Sequence, residues 1–248
     1  NLNHRLQKNE SLMRMAGAIA HHFNNKLQGV TGNLEVALSG LDEGQPSVEV
    51  RKSISLAMGA ATQAMEVGTM MLTYLGDVRS NPQCIDLTAF CNGVLTSLES
   101  ERPANVEMKV DLQKENMRVK MDPRQLEQII GNLVRNAWEA LGERLNAVEV
   151  AVGKVKAEAI PPTLRFPADF KPLVADYVFI KVSDTGIGID PCHFEKIGDP
   201  FYTTKFTGRG VGLPVVLGIV RVQGGVMTVK SQLGEGSEFS VFLPALDC

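Results

Sequence analysis

The sequence has few cysteines, little net charge and no long apolar run, and each of these shortages excludes a class of protein. The four cysteines are Cys84, Cys91, Cys192 and Cys248. None of them forms a C-x-x-C pair, which argues against a metal site and against a disulfide framework. Reduced thiols of this kind are typical of a cytoplasmic protein. The formal net charge of −3 gives no basic surface, so we expect no nucleic acid partner.

Apolar residues are plentiful but scattered. They make up 44% of the 248 residues, enough to build the cores of one large or two modest domains. Runs such as Val215–Val220 are far too short to cross a bilayer. The chain begins at Asn1 rather than at methionine and has no signal peptide. We therefore expect a piece of a longer protein, attached to a membrane only through regions absent from this chain.

The N-terminal third has the apolar spacing of two long helices. Residues 1–40 carry apolar side chains three or four positions apart, and a second pattern of this kind covers residues 54–75. The segment Gly40–Pro46 predicts a turn between them, with Ser47 as the cap of the second helix. Two such helices form an antiparallel hairpin, and two hairpins bury their apolar stripes as a four-helix bundle. We therefore expect a homodimer through residues 1–82.

The composition changes after this hairpin, and a second domain is predicted over residues 83–248. Asp122 followed by Pro123 predicts a helix start, because the acid can cap the helix and proline suits its first turn. Alternating apolar residues predict strands at 106–112, 148–152, 177–182, 226–229 and 239–242. The proline-rich stretch Ile160–Pro172 is interpreted as an irregular excursion at a hairpin tip. The predicted fold class is α+β, a helical hairpin followed by an α/β sandwich with helices on one face of a mixed sheet.

Two adjacent histidines, His21 and His22, lie in the first predicted helix, and Asn25 follows them by one turn. A histidine beside an apolar stripe is usually a hydrogen-bonded structural residue. The remaining motifs change that interpretation, because together they suggest an ATP site, and a phosphoryl group needs an acceptor. His21 is the best candidate for that acceptor.

A pair of asparagines marks the helix that begins after Asp122. Asn132 and Asn136 lie one turn apart on nearly the same line of the helix. Their amide oxygens are neutral, hard ligands that suit Mg²⁺ when phosphate oxygens and water complete its coordination. A polar flank on an amphipathic helix is the alternative interpretation.

Three glycine-rich segments follow. In the first, a predicted strand ends at Asp184, before Gly186 and Gly188; the acid could accept from an exocyclic amine of a purine, although the segment is also a good turn. The second, Gly208–Leu213, leads into a helix whose N-terminus could bind phosphate. The third, Gly234–Phe239, is equally consistent with a plain hairpin turn.

In this order the motifs resemble the transmitter core of sensor histidine kinases, and the resemblance covers nearly the whole chain. The segments that carry it are Ala20–Asn25 as the phosphoacceptor box, Asn132–Ala137 as the paired-asparagine box, Asp184–Gly188, Gly208–Leu213 and Gly234–Phe239 as the glycine boxes, and Asp199–Lys205 as the aromatic box. The phosphoacceptor segment and the long insert before the Asp184 strand look most like the hybrid-type kinases.

The resemblance implies a dimeric helical hairpin joined to a Bergerat-type ATP-binding domain that uses ATP and Mg²⁺. His21, with His22 beside it, would take the γ-phosphoryl group from ATP and pass it to an aspartate in the receiver domain of a response regulator. Asn25 matches the position that helps a water molecule remove phosphate from the regulator.

The resemblance also implies a set of nucleotide-binding residues. Asn132 and Asn136 would hold Mg²⁺ and phosphates, and Asp184 would bind adenine. A mobile lid would cover ATP between Pro191 and Arg209. The other candidates belong to this lid and to the glycine boxes: Gly186, Gly188, Phe201, Thr203, Thr204, Lys205, Gly208, Arg209, Gly210, Val211, Gly212 and Leu213.

Two positions depart from the family pattern. His22 stands where most relatives have an acidic residue, and Pro214 stands where they usually have glycine or alanine. The proline suits the first turn of a helix, whereas His22 leaves open a pseudokinase scaffold that holds ATP without transferring phosphate. Another ATPase of the same nucleotide-binding fold is a further alternative, against which the histidine-bearing hairpin argues.

Overall fold

The protein was analysed as a computed structural model. The structure describes residues 23–43, 46–75, 81–113, 117–142, 146–199, 202–204 and 210–246. The chain forms two compact units, Asn1–Asp77 and Val78–Cys248. The domain boundary between residues 82 and 83 stays a prediction. Among the described helices, none combines the length and the apolar character that crossing a membrane requires.

The first unit is a pair of helices. Helix α1 covers residues 23–42, and helix α2 covers Ser47–Leu75. They approach closely where a glycine meets an alanine, since a Cβ on Gly29 would lie 3.5 Å from the Cβ of Ala60. Ala37, about two turns further along α1, is also buried. The predicted helical hairpin is therefore confirmed.

Two details of the connecting turn differ from the prediction. Helix α1 continues through the buried Gly40, and its last turn is closed by a hydrogen bond from the Glu43 amide to the Ser39 carbonyl (2.9 Å). Ser47 is the first residue of α2 rather than its cap. Pro46 occupies the capping position instead, because its carbonyl accepts a hydrogen bond at 3.0 Å from the amide of Glu49, the third residue of the helix.

The second unit begins with a small sheet and a helix that the sequence pattern did not predict. Strand β1, Gln83–Asp86, pairs antiparallel with β3, Arg118–Met121. Helix α3, Leu87–Leu98, follows β1 directly, and Asp86 caps it by accepting from the Ala89 amide at 2.9 Å. Strands of four residues are too short to show a clear alternation.

The main sheet has six strands in the order β2-β4-β6-β8-β7-β5. Their bounds are Val106–Leu112 for β2, Asn146–Lys156 for β4, Leu164–Phe166 for β5, Asp176–Asp184 for β6, Val226–Gln232 for β7 and Gly236–Pro244 for β8. Strands β2 and β4 are parallel, and the other neighbours are antiparallel. The strands predicted from alternation lie within β2, β4, β6, β7 and β8, and the predicted mixed sheet is confirmed.

Two helices pack on this sheet, α4 (Pro123–Ala140) and α5 (Gly212–Val222). Asp122 caps α4 as predicted, with its side chain accepting from the Arg124 amide at 2.9 Å. The apolar stripe of α4 is buried, including Leu126, Ile129, Ile130 and Leu133. This stripe and the inward side chains of the strands form the main core, as an α/β sandwich requires.

The proline-rich segment between β4 and β6 is more regular than predicted. Its residues Leu164–Phe166 form strand β5, which pairs with β7 at the far edge of the sheet. The prediction of an irregular excursion was therefore wrong for these three residues. A stretch this short is defined by its partner strand rather than by its own sequence. Ile160 of the same segment joins a second, small core with Tyr177, Val226 and Phe242.

Candidate nucleotide-binding site

Asp184 is the last residue of β6 and is almost fully buried, with 7% of its surface exposed. Its neighbours in the sheet are Val148 of β4 and Ser237 of β8. Its Oδ1 atom accepts a hydrogen bond from the Gly186 amide at 2.8 Å. A buried carboxylate held in this way is an oriented acceptor, which is what an exocyclic amine of a purine requires.

The loop after Asp184 lies against the C-terminal end of α4. The Ile187 amide donates to the Ala140 carbonyl at 2.9 Å. A Cβ on Gly186 would lie 2.3 Å from that same oxygen, so no larger residue fits there without moving the backbone. Gly186 thus lies against the protein's own helix, and the contact fixes the loop beside the adenine-binding candidate.

The turn between β7 and β8 holds this loop from another side. Gly188 has a φ of 67°, and a Cβ there would lie 2.0 Å from the carbonyl oxygen of Gln232. The Gly234 amide donates to the Ile187 carbonyl at 2.7 Å. The first and third glycine-rich segments therefore form one structural unit, which explains why both are rich in glycine.

Ser231 is a residue of this unit that the sequence analysis missed. Its Oγ accepts from the Ile189 amide at 2.8 Å. The same hydroxyl lies 2.9 Å from the Gly236 carbonyl and 2.9 Å from Ser237 Oγ. Serine within a strand gives no sequence signal of such a role, because the Ile189 amide is distant in the chain, whereas Gly236 and Ser237 lie on the neighbouring strand β8.

Asn132 of α4 lies at the N-terminus of α5. A Cβ on Gly212 would lie 3.2 Å from Asn132 Oδ1. Helix α5 begins at Gly212, and its cap residue Val211 makes no side-chain capping bond, so the amides of Gly212 and Leu213 have no partner within the helix. An amide oxygen beside a helix N-terminus suits a polyphosphate with its Mg²⁺. Pro214 lies in the first turn of α5, where proline is tolerated.

Asn136 is half-buried one turn further along α4, as Asn132 is. The guanidinium of Arg135, between them in sequence, donates from Nε and Nη2 to the two carboxylate oxygens of Glu101 at 2.9 and 3.1 Å. Hydrogen bonding to Arg135 lowers the pKa of Glu101. This ion pair joins α4 to the short helical turn that follows α3.

The segment after the Asp184 loop is described in part. Asp190 caps a short 3-10 helix at Pro191–His193, and the Tyr202 hydroxyl lies 2.5 Å from His193 Nδ1. Thr203 and Thr204 are exposed. The predicted site residues His21, His22, Phe201, Lys205, Gly208 and Arg209 lie outside the described residues.

The remaining predicted residues separate by unit. Asn25 is an exposed residue of α1 in the first unit. The second unit contains the described nucleotide-binding candidates, which are Asn132, Asn136, Asp184, Gly186, Gly188, Thr203, Thr204, Gly210, Val211, Gly212 and Leu213. Within it the structure joins Asp184 to Gly186 and Gly188 in one loop, and Asn132 to Gly212 at the start of α5.

Comparison with known proteins agrees with this arrangement. Residues 121–247 match the family model of the histidine kinase-, DNA gyrase B-, and HSP90-like ATPases. The chain belongs to this ATPase family. The matched region of the ATPase starts at the end of β3 and includes α4, the Asp184 loop and α5.

Relatives similar to this chain over nearly the whole of its 248 residues are named sensor kinases. It is 31% identical over 243 residues to sensor kinase CckA of Brucella abortus, covering 97% of this chain and 25% of the relative. It is 26% identical over 243 residues to sensor histidine kinase ZraS of Salmonella typhimurium, covering 98% of this chain and 48% of the relative. These matches confirm the resemblance to the sensor histidine kinase transmitter core. The chain therefore spans only a quarter to a half of these relatives.

The fold has solved counterparts as well. The structure of histidine kinase AdeS of Acinetobacter baumannii has a TM-score of 0.64 at 20% identity, covering 89% of this chain and 98% of that one. This likeness extends over both units and confirms the predicted fold class, a helical pair followed by an ATPase domain.

Proposed function

We propose that the protein is an ATP-dependent protein histidine kinase that phosphorylates itself on His21 and passes the phosphoryl group to an aspartate of a response regulator. One observation carries the proposal: the amide oxygen of Asn132 lies at the N-terminus of α5, in the same unit as the buried carboxylate of Asp184. Asn132 and the start of α5 would form a polar environment for a polyphosphate, and Asp184 would be an acceptor for a purine amine. The relatives named as sensor kinases support the same function.

The described residues would bind the nucleotide in two places. Asp184, oriented by the Gly186 amide, would accept from the exocyclic amine of adenine. The backbone from Gly210 to Leu213 would face the phosphates. Asn132 and Asn136 would hold Mg²⁺ through their amide oxygens, and the bound ion would neutralise charge on the phosphates.

The transfer itself is a displacement at phosphorus. A neutral ring nitrogen of His21 would attack the γ-phosphorus, so that a P–N bond forms while the bond to the bridging oxygen of ADP breaks. The ring proton that His21 loses would pass to a neighbouring base, for which His22 is the candidate. A carboxylate oxygen of the response regulator would then attack the same phosphorus, so that a P–O bond forms while the P–N bond to His21 breaks. In the phosphatase reaction Asn25 would orient a water molecule that attacks the aspartyl phosphate and releases inorganic phosphate and the free carboxylate.

The helical unit supports a homodimer as part of this function. Large apolar side chains stay exposed on both helices of the single chain, including Leu34, Leu38, Leu41, Leu56 and Met65. A second copy of the hairpin would cover such side chains in a four-helix bundle. Light scattering on residues 1–82 tests this part; a monomer at about 50 µM would contradict it, since an interface of standard size holds at such concentrations.

Incubation with γ-labelled ATP and Mg²⁺ tests the proposal. We expect label on the protein that is lost in acid and kept in alkali, as a phosphoramidate requires. His21→Gln should abolish the label, and His22→Gln, which removes the candidate base but keeps the acceptor, should retain some. Label that survives acid, or that remains in His21→Gln, would contradict the assignment. Transfer of the label to a receiver domain, and slower dephosphorylation of that domain by Asn25→Ala, test the remaining steps.

A further inference from the structure

Phe166 lies at the end of β5, on the side of the sheet that α5 covers. Strand β5 pairs with β7 so that Phe166 lies opposite Met227. The neighbour of Met227, Val226, belongs to the small core with Ile160 and Tyr177. Because successive residues of a strand point to opposite faces, Met227 and Phe166 face away from that small core.

On that side Phe166 meets a turn that precedes the described threonines of the candidate site. A Cβ on Gly198 would lie 3.6 Å from Phe166 Cε1 and 2.8 Å from Leu217 Cδ1 of α5. The backbone at Gly198 therefore lies against an apolar surface formed by Phe166 of β5 and Leu217 of α5. A Cβ at position 198 would displace only the flexible end of Leu217 and would stay in van der Waals contact with Phe166.

The turn, which we define as residues 191–199, is held together by its own backbone. The amides of Lys196 and Ile197 both donate to the His193 carbonyl, at 2.9 and 3.1 Å. The Asp199 amide donates to the Lys196 carbonyl at 2.9 Å. The Ile197 side chain is 8% exposed. Because these hydrogen bonds connect its residues, a contact at Gly198 can restrain the whole 191–199 turn.

Both ends of this turn lead to the candidate site. It follows the Asp184 loop, whose last part is tied to β7 by the hydrogen bond from Ile189 to Ser231. Beyond it, Tyr202 hydrogen-bonds back to His193, immediately before Thr203 and Thr204. A displacement of the 191–199 turn would therefore move Tyr202 and with it the adjacent Thr203 and Thr204.

We propose that Phe166 is a positioning residue: it holds the 191–199 turn against α5 and thereby positions Thr203 and Thr204 of the candidate nucleotide site. The part concerning the nucleotide rests on the proposed function. The proline-rich insert would then support the ATP site. Because β5 forms the edge of the sheet beyond β7, its last residue, Phe166, can contact the 191–199 turn.

The test compares two phenylalanines of the same insert in the full 248-residue chain. Phe166→Ala removes the aromatic contact with the turn at Gly198, and Phe166→Leu restores an apolar side chain there. Phe170→Ala is the matched control, because Phe170 packs edge-on against Tyr177 in the small core, with ring centroids 5.9 Å apart. Hydrogen exchange of the 191–199 turn is measured without nucleotide, and ATP affinity is measured by calorimetry.

We expect exchange in the 191–199 turn to become at least about tenfold faster in Phe166→Ala, with ATP binding weakened by about fivefold or more. Phe166→Leu should recover most of both effects, and Phe170→Ala should leave the turn unchanged. Exchange in Phe166→Ala equal to wild type, or equal to that in Phe170→Ala, would overturn the proposal. Faster exchange with unchanged ATP affinity would overturn the positioning role. Failure of the wild type to bind ATP would instead refute the proposed function, since the exchange result does not depend on nucleotide.

Discussion

The Gly186 amide donates a hydrogen bond to Oδ1 of Asp184 at 2.8 Å, within a loop that glycine alone can form. A Cβ on Gly186 would overlap the Ala140 carbonyl, and the next amide, that of Ile187, donates to this carbonyl at 2.9 Å, so the end of α4 fixes the loop that carries the amide. The carboxylate is therefore oriented before any ligand arrives. Such preorganisation reduces the ordering cost of binding.

The first prediction concerns this carboxylate. Asp184→Asn can keep the bond from Gly186 by turning its amide oxygen toward it, but it then presents an NH₂ group toward the adenine amine. Loss of a hydrogen bond to a charged group costs about 1.5–3 kcal/mol, so ATP affinity should fall by about tenfold or more. The ATP affinity is measured by isothermal titration calorimetry. Asp176→Asn, at the half-buried start of the same strand and paired with Lys154 and Lys156, is the control, and equal affinity in both variants would remove Asp184 from the site.

The second prediction concerns Asn132. Asn132→Ala deletes the amide oxygen beside Gly212 while keeping a good helix former on α4. We expect a folded protein whose Mg²⁺-dependent autophosphorylation falls by about tenfold or more, in line with the loss of one polar contact to a charged group. Glu127→Ala, an exposed position on the same helix, should retain full activity. Wild-type rates in Asn132→Ala across a magnesium titration would exclude a metal role.

The third prediction contrasts two glycines. Gly188→Ala places a side chain at a φ of 67° and 2.0 Å from the Gln232 carbonyl, so we expect a loss of more than about 2 kcal/mol in unfolding free energy. Gly93→Ala, in open space on α3, should instead raise stability by about 0.5–1 kcal/mol. The single tryptophan, Trp138, is buried in α4, and its fluorescence during urea unfolding reports the second unit. Equal midpoints for the two variants would contradict the strained geometry of the loop.

The fourth prediction concerns acid stability. The Arg124 guanidinium, together with the amide of Asn81, holds the pKa of Asp122 well below its ordinary value of 3.8. Because the folded-state pKa is depressed, the stabilisation by the charged cap is complete above that ordinary value and disappears as the pH falls below it.

Asp122→Asn keeps the capping oxygen but loses the charge. We expect it to be less stable than wild type at pH 7 by about 1 kcal/mol, with the difference shrinking as the pH falls below 3.8. Arg124→Gln should reproduce part of the loss at pH 7. Urea midpoints at several pH values measure this, and a constant difference down to acid pH would show that the charge is irrelevant.

The fifth prediction concerns His22. A neutral histidine can accept one hydrogen bond but carries no negative charge to stabilise an imidazolium on His21. We therefore expect slow autophosphorylation that declines as the pH falls through about 6.5, where an unperturbed histidine gains its proton. His22→Glu should be faster, and its rate should respond less to pH in that range. Equal rates for the two proteins from mildly acidic to neutral pH would indicate that His22 faces solvent.

The order of the motifs along the chain was sufficient to determine the family and the fold class. Local patterns were also sufficient for the elements they control: Asp122 followed by Pro123 marked the start of α4, and alternation marked β2, β4, β6, β7 and β8. In each case the signal comes from residues close in sequence, because caps and face periodicities depend on covalent neighbours.

Only the tertiary structure decided what surrounds the site. Strand β5 exists because β7 offers it a partner, Gly186 is required because α4 ends beside it, and Ser231 is important because Ile189 lies across from it. The contact of Phe166 with the turn at Gly198 joins two segments that no local pattern relates. Such contacts depend on which distant segments the folded chain brings within a few ångströms of one another, and no spacing within a single segment records that.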